Sequence, residues 1–581
     1  MLFGSSKAMS WCSAVVSASL TIALWAGPGA MVCRAQSAQG GESYLLKSLS
    51  VSGFLQTTSA TWIDSQAIEY NPSKNSLAAQ RQLLQIDVND DLTPNDSVFL
   101  RMWGVYEPSY PFEVSCGDPN FNVVHCNSDF YNDYGIREFW LAHRLGPLQI
   151  FTGRQIVTWG ESLAFRVTDQ INPQDFSYTF GFANLESSRL PLWMIHPIVN
   201  LPAAGPLTSN FAELVYIPGF DFGYTHVDYT DDLYDGQDQV AGRVNISAPG
   251  GGRFAPRPDG RIIPAPSGPF DELVGAPPIH LVRTMPGCPP PGQCLVIAGG
   301  DNDRFGVSLA IPRATWGNSQ IGVRLHTLAY NTEITAMWLW NHEYTPVIKL
   351  DSTQITAPFG ADVPFRKERA RLIFPQYMGV GVTANRPVYL PGWLERLPSV
   401  IRAEAFYKNH ATFNTLNVPG DFFVGFNPLV GTPSALYYSD EVLWLMSLDL
   451  GPGFVPFVSE TGNISANFEV QGTTILSYSH RMNFGAYFER VYHNDVNLLL
   501  NITTSWWWGA VAPAWVTIYN PDGQTFLLFP SLQLTPPWTD KYLLKLQWVE
   551  VLGTNQFGID GGVFKGKSML VAQFQYNFSL F

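Results

Sequence analysis

The sequence predicts an all-β chain: a transmembrane antiparallel up-and-down β-barrel of about 16–18 strands, with short periplasmic turns and long extracellular loops. Three observations predict it. After residue 45, segments of about 9–13 residues recur in which apolar and polar side chains alternate, the period of a strand with two unlike faces. The connections between those segments alternate between short turns and long loops, as they do when every second turn lies on the same rim. Charged residues make up 14% of the 581 and aromatic residues another 14%, whereas water-soluble chains carry about 25% charge. A hydrophobic content of 46% excludes a disordered chain. The net charge of −14 argues against nucleic acid, because phosphate binding needs basic surface.

Taken in order, the chain opens with a targeting segment. Lys7 precedes the apolar stretch Trp11–Ala26, and Cys33-Arg34-Ala35 offers a cleavage point. Residues 1–35 therefore read as a signal peptide and residues 36–581 as the exported barrel. Leu84, Ile86 and Val88 then alternate with Gln85, Asp87 and Asn89. Ile321, Val323 and Leu325 alternate with Gly322, Arg324 and His326, and Ile401, Ala403 and Ala405 with Arg402, Glu404 and Lys408 further on. Tyr542, Leu544, Leu546 and Trp548 face away from Lys545 and Gln547. The polar faces are mostly Gln, Asn, Thr and Gly, which suits a wet lumen behind a lipid-facing wall. Asp87, Arg324, His326, Arg402, Glu404, Lys408 and Lys545 are the candidate lumen-wall charges.

Short turns are expected at 93–96, 145–147, 314–318 and 535–540. Long loops are expected at 63–78, 107–133, 160–190, 218–302, 331–370, 410–438 and 552–567. An even strand number places both chain ends on the short-turn rim. Cys116 with Cys126, and Cys288 with Cys294, form two close pairs within long loops; in an oxidising compartment they read as disulfides. The closing segment carries Tyr576 and Phe578 and ends on Phe581, the aromatic ending that barrel-assembly machinery reads. Its apolar face runs one residue out of phase with Phe581.

One block is specific. Gly153-Arg154-Gln155 leads to Trp159-Gly160-Glu161, then to Asp169-Gln170-Ile171-Asn172-Pro173-Gln174-Asp175; Ser188-Arg189-Leu190-Pro191 and Glu213-Leu214-Val215-Tyr216-Ile217-Pro218 follow. This resembles the Gram-negative family called domain of unknown function 1302. The resemblance implies a porin-like barrel in the outer membrane. It also implies a link to hydrophobic or aromatic compounds, because genes for their uptake or breakdown often lie beside those of the family.

The 160–190 segment has no strand period, yet it carries charges that cannot face lipid cheaply. It reads as a loop that folds into the lumen, either bracing the wall or narrowing the pore. The constriction candidates are Arg154, Trp159, Glu161, Asp169, Asn172, Asp175 and Arg189. The Asp228, Asp231, Asp232, Asp235 and Asp238 cluster lacks the spacing of a calcium loop and reads as a solvated face. Trp506-Trp507-Trp508 reads as an interfacial girdle or a solute platform. No catalytic serine, zinc or phosphate motif is present, so no catalytic residue, metal or cofactor is expected. The expected function is passive passage of small, hydrophobic or aromatic solutes. The expected partners are outer-membrane lipid, barrel-assembly machinery and the solute itself. A lipase-like outer-membrane enzyme and a structural or adhesive barrel are the alternatives.

Overall fold

The computed structural model describes residues 48–63, 77–106, 133–162, 165–173, 188–220, 306–310, 312–344, 347–354, 367–415, 436–453, 464–480, 482–484, 489–553 and 568–580. The chain divides into two units, Met1–Tyr44 and Leu45–Phe581. The expected signal peptide falls in the first, outside the described residues. Cys116, Cys126, Cys288, Cys294, Asp175, Phe581 and the 228–238 acidic cluster also lie outside them.

The second unit is a closed ring of antiparallel strands. These are β1 (Ser50–Trp62), β2 (Leu77–Thr93), β3 (Asp96–Tyr106), β4 (Asp133–Leu145), β5 (Leu148–Gln155) and β6 (Leu192–Asn200). β7 (Leu207–Ile217), β8 (Gln320–Ala329), β9 (Thr332–His342), β10 (Gln376–Val388), β11 (Ser399–Thr415) and β12 (Leu436–Gly453) follow. β13 (Ile464–Ile475), β14 (Asn494–Thr504), β15 (Val511–Asn520), β16 (Thr525–Leu528 and Ser531–Leu534), β17 (Tyr542–Gly553) and β18 (Met569–Ser579) complete it. β16 is interrupted at Phe529-Pro530, because proline donates no ladder hydrogen bond; both pieces pair with β15 and β17. β18 pairs with β1 from Ser52↔Ser579 to Trp62↔Met569, so the eighteen-strand ring has no free edge. A separate three-stranded sheet (Gly306–Ala310, Val347–Gln354 and Lys367–Ile373) is built from the long connections.

Alternation now acquires direction. Leu55, Leu84, Leu141, Ile195, Leu325, Val382, Phe468, Trp548 and Phe574 are exposed on the outer face. Alternate residues of the strands, such as Thr383, Glu469 and Gln547 beside these and Glu213 and Glu404 on β7 and β11, are buried inside the ring. A polar interior behind an apolar exterior is the arrangement a bilayer stabilises. Exposed aromatics mark both rims: Tyr330, Tyr389, Trp507, Trp508 and Trp538 at the short turns, and Tyr106, Tyr134, Trp316 and Tyr438 toward the long loops. Tyr576, one of the closing-strand aromatics, packs against Tyr542 at 5.3 Å between ring centres, and Phe578 lies on β18 opposite Gly53.

Two expected connections are corrected. The turn expected at 314–318 belongs to the long connection between β7 and β8. The tight turn of this region is Tyr330-Asn331, with φ of 48° and 59° at its two residues. Left-handed backbone of this kind suits a two-residue hairpin, but no glycine marks it. The loop expected at 331–370 begins as strand β9, and the connection proper runs from 343 to 375. On β9 both faces are apolar, Trp338 and Trp340 outside and Met337 and Leu339 inside, which erases the period-two signal.

Candidate functional site

The connection from β5 to β6 folds into the ring; of its described residues (156–162, 165–173 and 188–191), the first two stretches are called the plug. Its neck is tied by one side chain. Asn172 is fully buried; its Oδ1 accepts the Val157 N–H at 2.8 Å, and its Nδ2 donates to the Leu190 and Gln155 carbonyls at 2.8 and 3.2 Å. Arg189 pairs with Asp169 at 2.7 Å. Arg166 donates to the carbonyls of Asp169 and Asn172 at 2.6 and 2.5 Å. Arg154 holds the strand ends below, donating to the carbonyls of Ile136 at 2.8 Å and Pro191 at 3.3 Å. Local charge pairs and an Asx-type bracket thus give the segment a fixed shape without a strand or helix.

The body of the plug packs like a protein interior. Val157, Trp159, Val167 and Ile171 join Leu192, Met194, Val215, Ile217, Leu339 and Phe406 of the wall in one buried cluster. Trp159 is 1% exposed, and its indole N–H donates to Glu213 Oε1 at 3.0 Å. The wall opposite is hollowed: a Cβ at Gly322 would stand 2.6 Å from the Trp159 ring. Glu213 also accepts from Arg324 at 2.7 Å and contacts His196 at 2.6 Å.

The far side is held by polar contacts. One carboxylate, Glu404 on β11, accepts the Glu161 N–H at 2.7 Å, the Thr168 N–H at 3.1 Å and the Thr168 hydroxyl at 2.5 Å. Arg402 donates to the Glu161 carbonyl at 2.9 Å and pairs with Asp449 at 2.6 Å. The Ser162 hydroxyl donates to Glu469 on β13 at 2.7 Å. Asn341 and Tyr344 donate to the carbonyls of Gln170 and Ile171 at 2.7 and 2.8 Å. Burial, reinforced by the nearby carboxylates of Glu333 and Glu404, holds the Glu161 carboxyl above the usual carboxylate range; Arg402 opposes this. Phe165, beyond Ser162, packs against the plug's own cluster and against a second one formed by Ala60, Leu499, Val516, Phe529, Val549, Met569 and Val571. The plug therefore reaches from the β5–β13 wall to the β14–β18 and β1 wall.

The seven wall candidates separate into three groups. Arg402 and Glu404 touch the plug directly, and Arg324 acts through Glu213. Asp87 pairs with Arg101 at 2.8 Å, His326 contacts Glu333 at 2.7 Å, and Lys408 lies between Glu343 and Glu441 at 3.1 and 3.5 Å. Lys545 has no ion pair among the described residues. Sequence reasoning missed Glu213 as an acceptor, although it lies in the specific block, and missed Thr168 and Glu469. Their roles depend on ring register, which no local pattern encodes. Among the described residues, no group of three or more His, Cys, Asp or Glu side chains is placed to hold a metal ion.

Residues 126–388 match the family model described as protein of unknown function (DUF1302), the family that the 153–218 block resembles. No curated protein matches the sequence. Among solved structures, Acinetobacter baumannii OccAB1 is 9% identical, covering 92% of this chain and 97% of its own at a TM-score of 0.45. Pseudomonas aeruginosa OpdK, solved with vanillate, is 8% identical, covering 92% and 100% at a TM-score of 0.42. A. baumannii OccAB3 is also 8% identical, covering 92% and 99% at 0.42.

Proposed function

We propose, for a chain whose residues 126–388 match the DUF1302 family, that it is a porin-like channel of the outer membrane. It passes small solutes without an energy source, and the plug is its constriction. The observation that carries the reading is Glu404 collecting three donors from a loop that leaves the ring at β5. Such a contact needs the loop to lie inside the lumen. Charges there are paired, Asp169 with Arg189 within the loop and Glu161 with Arg402 of the wall, as a narrowed aqueous path requires. Hydrophobic or aromatic solutes are the cargo that the likeness of the 153–218 block to its family implies. An esterase would need a serine hydroxyl against His326 or His493; His326 is held by Glu333 and the Ser209 carbonyl, and His493 stacks on Tyr478. Single-channel conductance in planar bilayers and solute entry into liposomes test the reading. Folded protein should conduct in small steps and speed the entry of small aromatic solutes. A folded, inserted chain that does neither overturns it.

A further inference from the structure

Six rings stand side by side on the inner face of β3 to β8: Phe99, Trp140, Phe151, His196, Phe211 and His326. Each lies three to five residues from the short-turn end of its strand, so together they form an arc at one level of the lumen. Register brings them together: Phe99 is opposite Trp140, Phe151 opposite His196, and Phe211 opposite His326. Ring centres are 5.2 Å apart for Phe99 and Trp140, 5.3 Å for Trp140 and Phe151, and 5.5 Å for Phe151 and His196. Phe211 and His326 stack at 4.3 Å. Between His196 and Phe211 the arc is bridged by Glu213, which contacts His196, and by Arg324, which pairs with Glu213 and lies 5.6 Å from the centre of the Phe211 ring.

The arc occupies wall that the plug leaves open. On β7 the inward residues Ile217, Val215 and Glu213 are 2%, 1% and 3% exposed, whereas Phe211, the next inward residue toward the short turn, is half-buried. On β6 the buried Leu192, Met194 and His196 give way to the half-buried Ile198. Beyond the arc, β11 passes from Phe406 and Glu404, at 0% and 3%, to Arg402, whose side chain is 27% exposed. Phe99, Trp140 and Phe151 are likewise half-buried. Their uncovered surface faces the lumen, because Leu141, Ile195 and Leu325 take the lipid side of the same sector. The charges that border the arc are already matched: Arg101 by Asp87 and Glu138, Arg324 by Glu213, and His326 lies against Glu333. A row of rings among matched charges favours a flat, uncharged π-system over an ion or a puckered hydrocarbon, since ring pairs gain beyond the area they bury. Five strand spacings of about 4.8 Å make the arc about 24 Å long, room for more than one such ring.

Resting on the channel reading, we propose that this arc is the surface on which the channel holds its solute, and that the solute it selects is an uncharged planar aromatic molecule. The arc lies on the short-turn side of the plug, so altering it leaves Glu404 and its donors in place.

The test uses the full chain in planar bilayers, where a solute resting in the lumen interrupts the current. Benzamide and cyclohexanecarboxamide carry the same amide on a flat and on a puckered ring, and benzoate adds a charge. Benzamide should interrupt the wild-type current longest of the three. Trp140→Leu and Phe211→Leu keep apolar bulk but remove a ring face. Each should shorten the benzamide events about fivefold, within the worth of one aromatic pair, and leave the cyclohexanecarboxamide events as they are. Phe574→Leu, on the lipid side, should change neither. Heat-modifiable mobility on gels establishes that each variant is folded. Equal dwell times for the two carboxamides, benzoate held as long as benzamide, or benzamide events unchanged by both substitutions each overturns the arc. Wild type that conducts without benzamide events removes the arc and leaves the channel. Folded wild type that does not conduct, yet binds benzamide in calorimetric titration and loses it in Phe211→Leu, removes the channel and leaves the arc. Neither conductance nor such binding removes both.

Discussion

The two halves of the lumen are built on different principles. From β5 to β13 the wall meets the plug as one layer of a protein core meets the next: Trp159 over Gly322, Asn172 bracketing the neck, Glu404 with three donors. From β14 round to β1 the inner face carries amides and aliphatic side chains, and among the described residues Phe165 reaches it from the plug. The contrast teaches that one side of the ring holds the plug by polar contacts and packing together, and the other by apolar contact alone. Polar groups that are fully satisfied rigidify a structure.

The strongest way to break that contrast is to release the latch. Glu404→Ala leaves three donors without their acceptor, at about 1–3 kcal/mol for a buried donor left unsatisfied. Single-channel conductance should rise several-fold, and the urea midpoint should fall; an unchanged conductance would mean that the latched half is not the obstruction. Gly322→Val comes next. It pushes a side chain into the Trp159 ring, and overpacking of this kind costs about 1–3 kcal/mol. Limited proteolysis should then cut within 156–191 at protease concentrations that leave wild type intact. Trp159→Phe keeps the packing but removes the indole donor to Glu213, which still has Arg324 and His196, so the loss should be about 1 kcal/mol by chemical denaturation.

A subtler probe uses acid. The folded chain holds the Glu161 carboxyl above its ordinary range, so folding favours the protonated form. Its contribution to stability is present below the ordinary carboxylate range and is lost as pH rises through the raised value. The difference in unfolding midpoint between wild type and Glu161→Gln should therefore move in favour of Glu161→Gln as pH rises through the raised value, then level off. A flat difference would place Glu161 in bulk water. The smallest effect lies at the short-turn rim. Tyr330→Asn in the tight turn relieves a left-handed tyrosine, raising stability by less than about 1 kcal/mol and leaving conductance unchanged.

Legibility in the sequence follows the same division. β2, β8, β11 and β17 face lipid on one side and mostly polar groups on the other, so alternation revealed them. β9 faces lipid outside and packs Met337 and Leu339 inside, so its period vanished and its residues read as loop. In the candidate site, Trp159, Glu161, Asp169, Asn172 and Arg189 were legible because they lie in one stretch without a strand period, and Arg154 because it ends the strand that leads into it. That Glu404 and Glu469 would be the acceptors was not legible, because it depends on how many strands separate β5 from β11 and β13 and on the shear of the ring.

The bare backbone at Gly322 has a consequence for anyone who would move the loop elsewhere. The wall is cut to the outline of one indole, as a lock is cut for one key. Grafted into a foreign ring of the same girth, residues 156–191 would strike methyl groups where this ring has hydrogen, so loop and recess must be transplanted as a matched set.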